Sequence, residues 1–281
     1  MPRNQLILRV VLALLAFAGN SLLCRLALKT TAIDAATFTS IRLVSAAATL
    51  WFILRISRAM RPLFGDWPSA AALFVYAAGF SLAYINLTAG TGALLLFGTV
   101  QVTMIGAGLM RGERLTALQS TGVVIAILGL IYLVLPGLAA PPLASAALMI
   151  LAGIAWGVYS LRGAGAIDPL LVTAGNFLRT LPMTIAFSLI FMPQFRIDTP
   201  GLLYAVASGA VTSGLGYAIW YSVLPFLRST QAATLQLSVP IIAAVVAVLL
   251  LGEAASLRLA FASIVVLAGI ALVIQQKAKQ A

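Results

Sequence analysis

The chain has 281 residues, of which 62% are apolar and 8% charged, with no histidine, one cysteine and a net charge of +11. An average soluble domain is roughly 45–50% apolar and about 25% charged, so too few polar groups are present to cover a water-facing surface. This excludes a soluble globular protein, and a lone Cys24 with no His leaves no disulfide framework, no zinc or iron centre of the usual kinds and no cofactor site.

The apolar residues come in runs of about 20, the length that crosses a hydrocarbon core. Ten spans are predicted, over 6–28, 35–54, 68–87, 90–110, 116–136, 142–161, 169–191, 200–225, 231–251 and 257–275. Span 1 carries Phe17, Asn20 and Ser21. Its "SLLC" does not make a lipoprotein cleavage box, because Leu23 is bulky and Arg25 follows. No small-x-small site closes residues 1–28, so they are read as a retained helix. Span 2 holds Arg42 in "FTSIRL", and span 7 holds Arg179 in the similar "GNFLRT". In span 3, Tyr76, Phe80 and Tyr84 share one helical face. Span 4 contributes Gln101 and exits at Gly112-Glu113. Span 6 carries Trp156 and Tyr159 beside a Gly153-xxx-Gly157 packing stripe, and span 8 a stripe of Ala205, Gly209 and Ser213. Span 8 continues with Tyr217, Trp220 and Tyr221. In span 9, Pro240 is expected to kink the helix just beyond Gln236.

Positive charge sets orientation. Placing the N-terminus in the cytoplasm puts Arg3, Arg9, Arg55, Arg58, Arg61, Arg111, Arg114, Arg162, Arg228, Lys277 and Lys279 inside, against Lys29, Arg196 and Arg258 outside. Both termini are then cytoplasmic. With the basic residues spent between spans and no aromatic-and-basic motif present, nucleic acid is not a partner.

Residues 110–133 ("MRGERLTALQSTGVVIAILGLIYL") are echoed at 250–273 ("LLGEAASLRLAFASIVVLAGIALV") at an offset of 140. Gly112-Glu113 and Gly129 align with Gly252-Glu253 and Gly269. Near the same offset Phe17 matches Trp156, Ser21 matches Ser160 and Phe80 matches Trp220. Two halves, 1–139 and 140–281, therefore hold five spans each. An odd count inverts the second half, the arrangement of alternating-access carriers, whose solute sits between the repeats near the midplane.

All six acids, Asp34, Asp66, Glu113, Asp168, Asp198 and Glu253, fall in loops or at span ends. Carboxylate-relay coupling needs one within the membrane, so uncoupled facilitated transport is expected. Arg42 and Arg179 lie inside spans; each is read either as an anchor for a substrate carboxylate or as a cap on backbone carbonyls. Aromatic walls with a few amides and hydroxyls suit a small neutral or zwitterionic solute. The wall is expected from Phe17, Tyr76, Phe80, Trp156, Tyr159, Tyr217 and Trp220, with Asn20, Ser21, Gln101 and Gln236 as polar anchors.

The ten spans, the halved organisation, "STQAATLQLSVPIIAAVVAVLLLGEAASLRLAFASIVVLAGIALV" (229–273) and "TGALLLFGTVQVTMIGAGLMRGERLT" (91–116) resemble the EamA branch of the drug/metabolite transporter superfamily. "FAGNS" (17–21) is similar to the family's first-helix Trp-Gly-x-Asn motif with Phe17 replacing the tryptophan, and "WGVYS" (156–160) keeps Trp and Gly. The resemblance implies an all-α, multi-pass bacterial inner-membrane exporter of amino acids or related metabolites, with a cavity lined by spans 1, 3, 4, 6, 8 and 9. YddG-type amino-acid exporters are the closest fit. Glu113 and Glu253 match the family's loop glutamates and are assigned to helix-end structure. The partners implied are a small-molecule substrate and the lipid bilayer, and the duplicated chain suffices as a monomer. A drug or cationic-metabolite exporter of the same fold, proton antiporters included, is the alternative. It would need a buried anion, whereas an enzyme would need a cluster of His, Asp or Glu.

Overall fold

A computed structural model describes residues 1–57, 64–112, 114–137, 140–227, 229–254 and 256–280, without the side chains of 229, 230 and 275–280. Glu113, Arg58, Arg61 and Arg228, and the side chains of Lys277 and Lys279, thus lie outside the described residues. The described residues are helical, with no strand among them. The first half supplies α1 (Arg3–Thr30), α2 (Ala35–Ile56), α3 (Trp67–Tyr84), α4 (Ala89–Met110) and α5 (Ala117–Val134). The second supplies α6 (Leu143–Gly163), α7 (Pro169–Ile190), α8 (Thr199–Ala207), a π-helical segment (Ser208–Leu215), α9 (Gly216–Val223), α10 (Ser229–Gln236), α11 (Ser238–Leu251) and α12 (Leu257–Gln280). Among the described residues, nine helices are long and apolar enough to cross a membrane. The predicted third span exists as α3 but is not one of the nine; its Trp67, Pro68, Ser69 and tyrosines dilute its hydropathy.

Four of the six acids turn out to be helix N-caps. Asp34, Asp66, Asp168 and Asp198 accept backbone N–H groups at the starts of α2, α3, α7 and α8. An Asp there satisfies orphan donors and complements the helix dipole, stabilising by about 1 kcal/mol each. The caps come in matched local sequences. "AID" precedes both α2 and α7, and Asp-x-Pro opens both α3 and α8. Thr116 caps α5 in a box with Gln119, and Ser256 Oγ accepts from Leu259 N at the start of α12, 140 residues later.

Packing is paired as well. α5 lies on α12, α2 on α7, and α4 on α11. α6 packs against α3 and α4, while α1 packs against α8, α9 and α11. Small residues set these distances, because lipid tails compete with any apolar contact and only close approach adds attraction. A side chain on Gly153 would fall 2.7 Å from Thr99 Cβ and 2.9 Å from Leu96 O.

One span departs from the continuous helix expected, and span 9 is interrupted where Pro240 is expected to kink it. Residues 200–225 form α8, a wide π-helical segment and α9, since Ser208, Gly209, Gly214 and Gly216 bring little bulk to hold a regular ladder. Span 9 breaks at Leu237, three residues before Pro240. Proline has no N–H to offer the Gln236 carbonyl, and its ring crowds that carbonyl. The chain compensates with Leu237 N donating to Thr234 O and the Ser238 hydroxyl donating to Leu235 O.

A methyl at position 153 should therefore push α6 off α4. Gly153→Ala is expected to lower the melting temperature of the detergent-solubilised protein, at a cost of about 1–3 kcal/mol. Gly106→Ala, on α4 with open space around it, should leave melting unchanged or raise it slightly.

Candidate functional site

Two voids lie one behind the other inside the bundle. The larger, about 360 Å³, is rimmed by Gly163, Ala164, Gly165, Ala166 and Pro169, so its mouth is at the α6–α7 end. Phe17, Gln101, Trp156, Tyr159, Tyr217, Trp220 and Gln236 face it. The smaller, about 10 Å³, has room for no more than a single water and is bounded by Asn20, Ser21, Tyr76 and Phe80. Phe17, Trp156 and Tyr217 line both. All eleven residues singled out in the sequence thus line one or both of two adjacent voids. Pro169, Val172 and Thr173 add α7 to the expected lining helices.

The shared residues form an aromatic partition. Phe17 meets Tyr217 and Trp220 edge-on at 5.9 and 5.7 Å, and Trp156 stacks on Tyr217 at 5.9 Å. Behind it, Tyr76 contacts Trp156 at 4.2 Å and Phe80 at 5.5 Å. Such ring pairs contribute about 0.5–1.5 kcal/mol each beyond burial, so the partition closes firmly but without covalent or ionic ties.

Asn20 is the polar centre of the small void. Its Nδ2 donates to Tyr76 OH at 3.1 Å, and its Oδ1 accepts from Ser208 Oγ at 2.7 Å and Thr212 Oγ1 at 3.4 Å. Both hydroxyls belong to the π-helical segment; Ser208 gives its proton to the amide, whereas the single Thr212 proton is shared with Ser208 O, at 2.6 Å the shorter contact. On the α7 side, Tyr159 OH donates to Thr173 Oγ1, which donates to Tyr221 OH. Thr173, Ser208 and Thr212 carried no sequence signal, because helical Ser and Thr usually bond their own i−4 carbonyl. The two intramembrane arginines separate here. Arg179 donates to Gly175 O on its own helix, the capping alternative. Arg42 is buried, with its guanidinium carbon 4.9 Å from the Phe80 ring centre and 5.5 Å from that of Tyr76.

The end opposite the mouth is clasped by a buried ion pair. Gly252 takes a left-handed conformation (φ 60°) that ends α11 and turns Glu253 back into the bundle. Glu253 Oε1 accepts from Arg25 Nε at 3.0 Å, and Oε2 accepts from Ala89 N at the start of α4 at 2.8 Å. Arg25 Nη1 also donates to Tyr84 O and Ile85 O at the end of α3. Glu253 is therefore more than the end of one helix, since it ties α1, α3, α4 and α11 together. Sequence reading passed over Arg25 because its partner is 228 residues away.

At the mouth, Arg162 pairs with Asp66 at 2.8 Å, but both side chains are nearly half exposed. Burial works against the Asp66 carboxylate, yet hydrogen bonds from the Ser69 backbone and hydroxyl, and the Arg162 guanidinium, hold its pKa below the ordinary value. An exposed pair contributes little, whereas breaking a buried one is costly.

Residues 143–275 match the model of the EamA-like transporter family. An uncharacterized protein of Pseudomonas aeruginosa is 56% identical over 275 residues, covering 98% of this chain and 96% of its own length. The chain belongs to the EamA-like transporter family. An uncharacterized transporter of Archaeoglobus fulgidus is 23% identical, over 83% of this chain and 86% of its own. A protein of known crystal structure shares the fold with a TM-score of 0.67 at 17% identity, over 97% of this chain and 98% of that one. This EamA-family chain is a multi-pass membrane transporter, and its two voids are the place to look for its solute.

The unequal clasps predict unequal effects. Cys24, buried beside Arg25, is a native probe of the clasped end. Glu253→Gln should speed its labelling by a membrane-impermeant maleimide several-fold, whereas Asp66→Asn should leave labelling unchanged. Because the Asp66 pKa is lowered on folding, its contribution is complete above about pH 4 and fades as pH falls through the folded value. Melting of Asp66→Asn should therefore fall less than wild type between about pH 6 and pH 3.

Proposed function

We propose that this transporter is an alternating-access exporter of neutral, chiefly aromatic or large apolar, amino acids and related metabolites, working by uncoupled facilitated transport. It resides as a ten-span monomer in the bacterial inner membrane with both termini cytoplasmic. The two halves, 1–139 and 140–281, are inverted repeats, and the larger void faces the cytoplasm. One observation carries this reading: an aromatic partition at mid-bundle separates an open cavity from a closed, amide-centred compartment.

Other features support it. Exchanging each span of one half for its counterpart in the other preserves the most extensive packing pairs, in keeping with inverted repeats. The matched "AID" and Asp-x-Pro caps add to the Gly-Glu echo. Among the described residues, no carboxylate lines either void, and buried Glu253 is already held by Arg25. A cationic cargo would find no counter-charge there, which favours amino acids over cationic drugs.

Proteoliposomes loaded with a labelled amino-acid panel test the proposal. Counterflow of aromatic amino acids is expected, without accumulation under imposed proton or sodium gradients. No counterflow of any amino acid, or transport of hydrophobic cations instead, would contradict it. Trp156→Ala should cut the transport rate by about tenfold or more through loss of the wall. Trp51→Ala, on an exposed face against Arg55, should stay within about twofold. Equal effects would assign the aromatics to packing.

A further inference from the structure

Arg42 is the largest side chain sealed inside the bundle, 2% exposed, and its Nη1 has no hydrogen-bond partner. Among the described residues it forms no ion pair, although Arg25, Arg162 and Arg179 each donate to a carboxylate or carbonyl. A cation in a low-dielectric interior is costly unless something neutralises it, so an unpaired arginine at this depth points to a partner that arrives. The site holds the arginine rather than burying it by accident. Gly209 has no side chain, which lets the π-helical segment rest on the Arg42 carbonyl and fix that turn of α2. Tyr76 and Phe80 then support the guanidinium through their ring faces; both rings are walls of the small compartment, and Arg42 lies against them rather than on its lining.

A second orphan lies on the other wall. Tyr217 OH is buried without a partner and belongs to the partition between the two voids. A guanidinium can only donate hydrogen bonds and a phenol donates readily, so both orphans call for an acceptor that the protein does not supply. We infer that Arg42 is the anion receptor of the central compartment, and that the transported solute carries a carboxylate which Arg42 and Tyr217 bind. This rests on the amino-acid reading above and deepens it, because it assigns the carboxylate end of the solute while Phe17 and Trp156 take the apolar end. The compartment holds only about 10 Å³, so the carboxylate reaches Arg42 only when the partition parts. Ligand binding and opening of the partition are then one event.

The test measures binding of three probes to the detergent-solubilised full chain, by thermal shift and tryptophan quenching. Phenylalanine and 3-phenylpropionate should bind, and phenylalaninamide, which keeps the ring and amine but lacks the anion, should bind at least about tenfold more weakly. Arg42→Gln should weaken both acids by at least about tenfold, with Arg42→Lys recovering part of the loss. If Arg42→Gln does not fold, as its melt without ligand will report, the acid-against-amide comparison on the unaltered protein decides. Equal binding of acid and amide, binding of acids by Arg42→Gln within about twofold of wild type, or no binding of either acid would overturn the inference. The two readings fail separately. Arg42-dependent binding of 3-phenylpropionate without amino-acid counterflow removes the transport proposal alone, and counterflow untouched by Arg42→Gln removes the anion receptor alone.

Discussion

A bilayer offers no hydrogen-bond partner at its centre, so every polar side chain in this bundle must find one inside the protein. That constraint sorts the few polar residues by depth. At the helix ends, aspartates close the first turns of α2, α3, α7 and α8. At mid-bundle, Asn20 collects a tyrosine and two hydroxyls from distant helices. The sorting is left incomplete at Arg42 and Tyr217, and these are the donors that the proposed solute would satisfy.

The same economy explains the asymmetry between the two ends. The clasp of Arg25 and Glu253 is largely buried and braced by the backbone of α3 and α4, whereas the pair of Arg162 and Asp66 is nearly half exposed. A buried pair yields only when both partners are released together, so it favours one closed state over intermediate ones. Between the clasps, the aromatic partition depends on ring contacts alone, which can slide and re-form without leaving a charge unpaired.

The sequence made the membrane class, the echo of the halves and the aromatic wall legible, for one reason. Trp, Tyr, Asn and Gln are less favourable in mid-span than aliphatic residues, so Asn20, Gln101, Trp156 and Tyr217 stand out against their neighbours. What stayed hidden is pairing across the fold. Arg25 looks like the end of a span and Glu253 like a loop residue until folding brings them to 3.0 Å. Thr173, Ser208 and Thr212 look like ordinary helical hydroxyls, and the π-helical segment that aims two of them at Asn20 has no local signature beyond small residues. In sequence, the "GE" echo reads as helix punctuation. Its glycine does punctuate, taking the left-handed turn at Gly252, but that turn is what sends the carboxylate across to the other half.

Reciprocal opening of the two ends is the central claim, and spin-label distances measure it most directly. With Cys24 replaced, one label pair at Ile85 and Leu257 reports on the clasped end, and another at Met110 and Ile167 on the mouth; all four positions are exposed. In proteoliposomes, exchanging the solute from one face to the other should lengthen one distance as it shortens the other. Distances that stay fixed, or that lengthen together, would contradict alternating access through this partition.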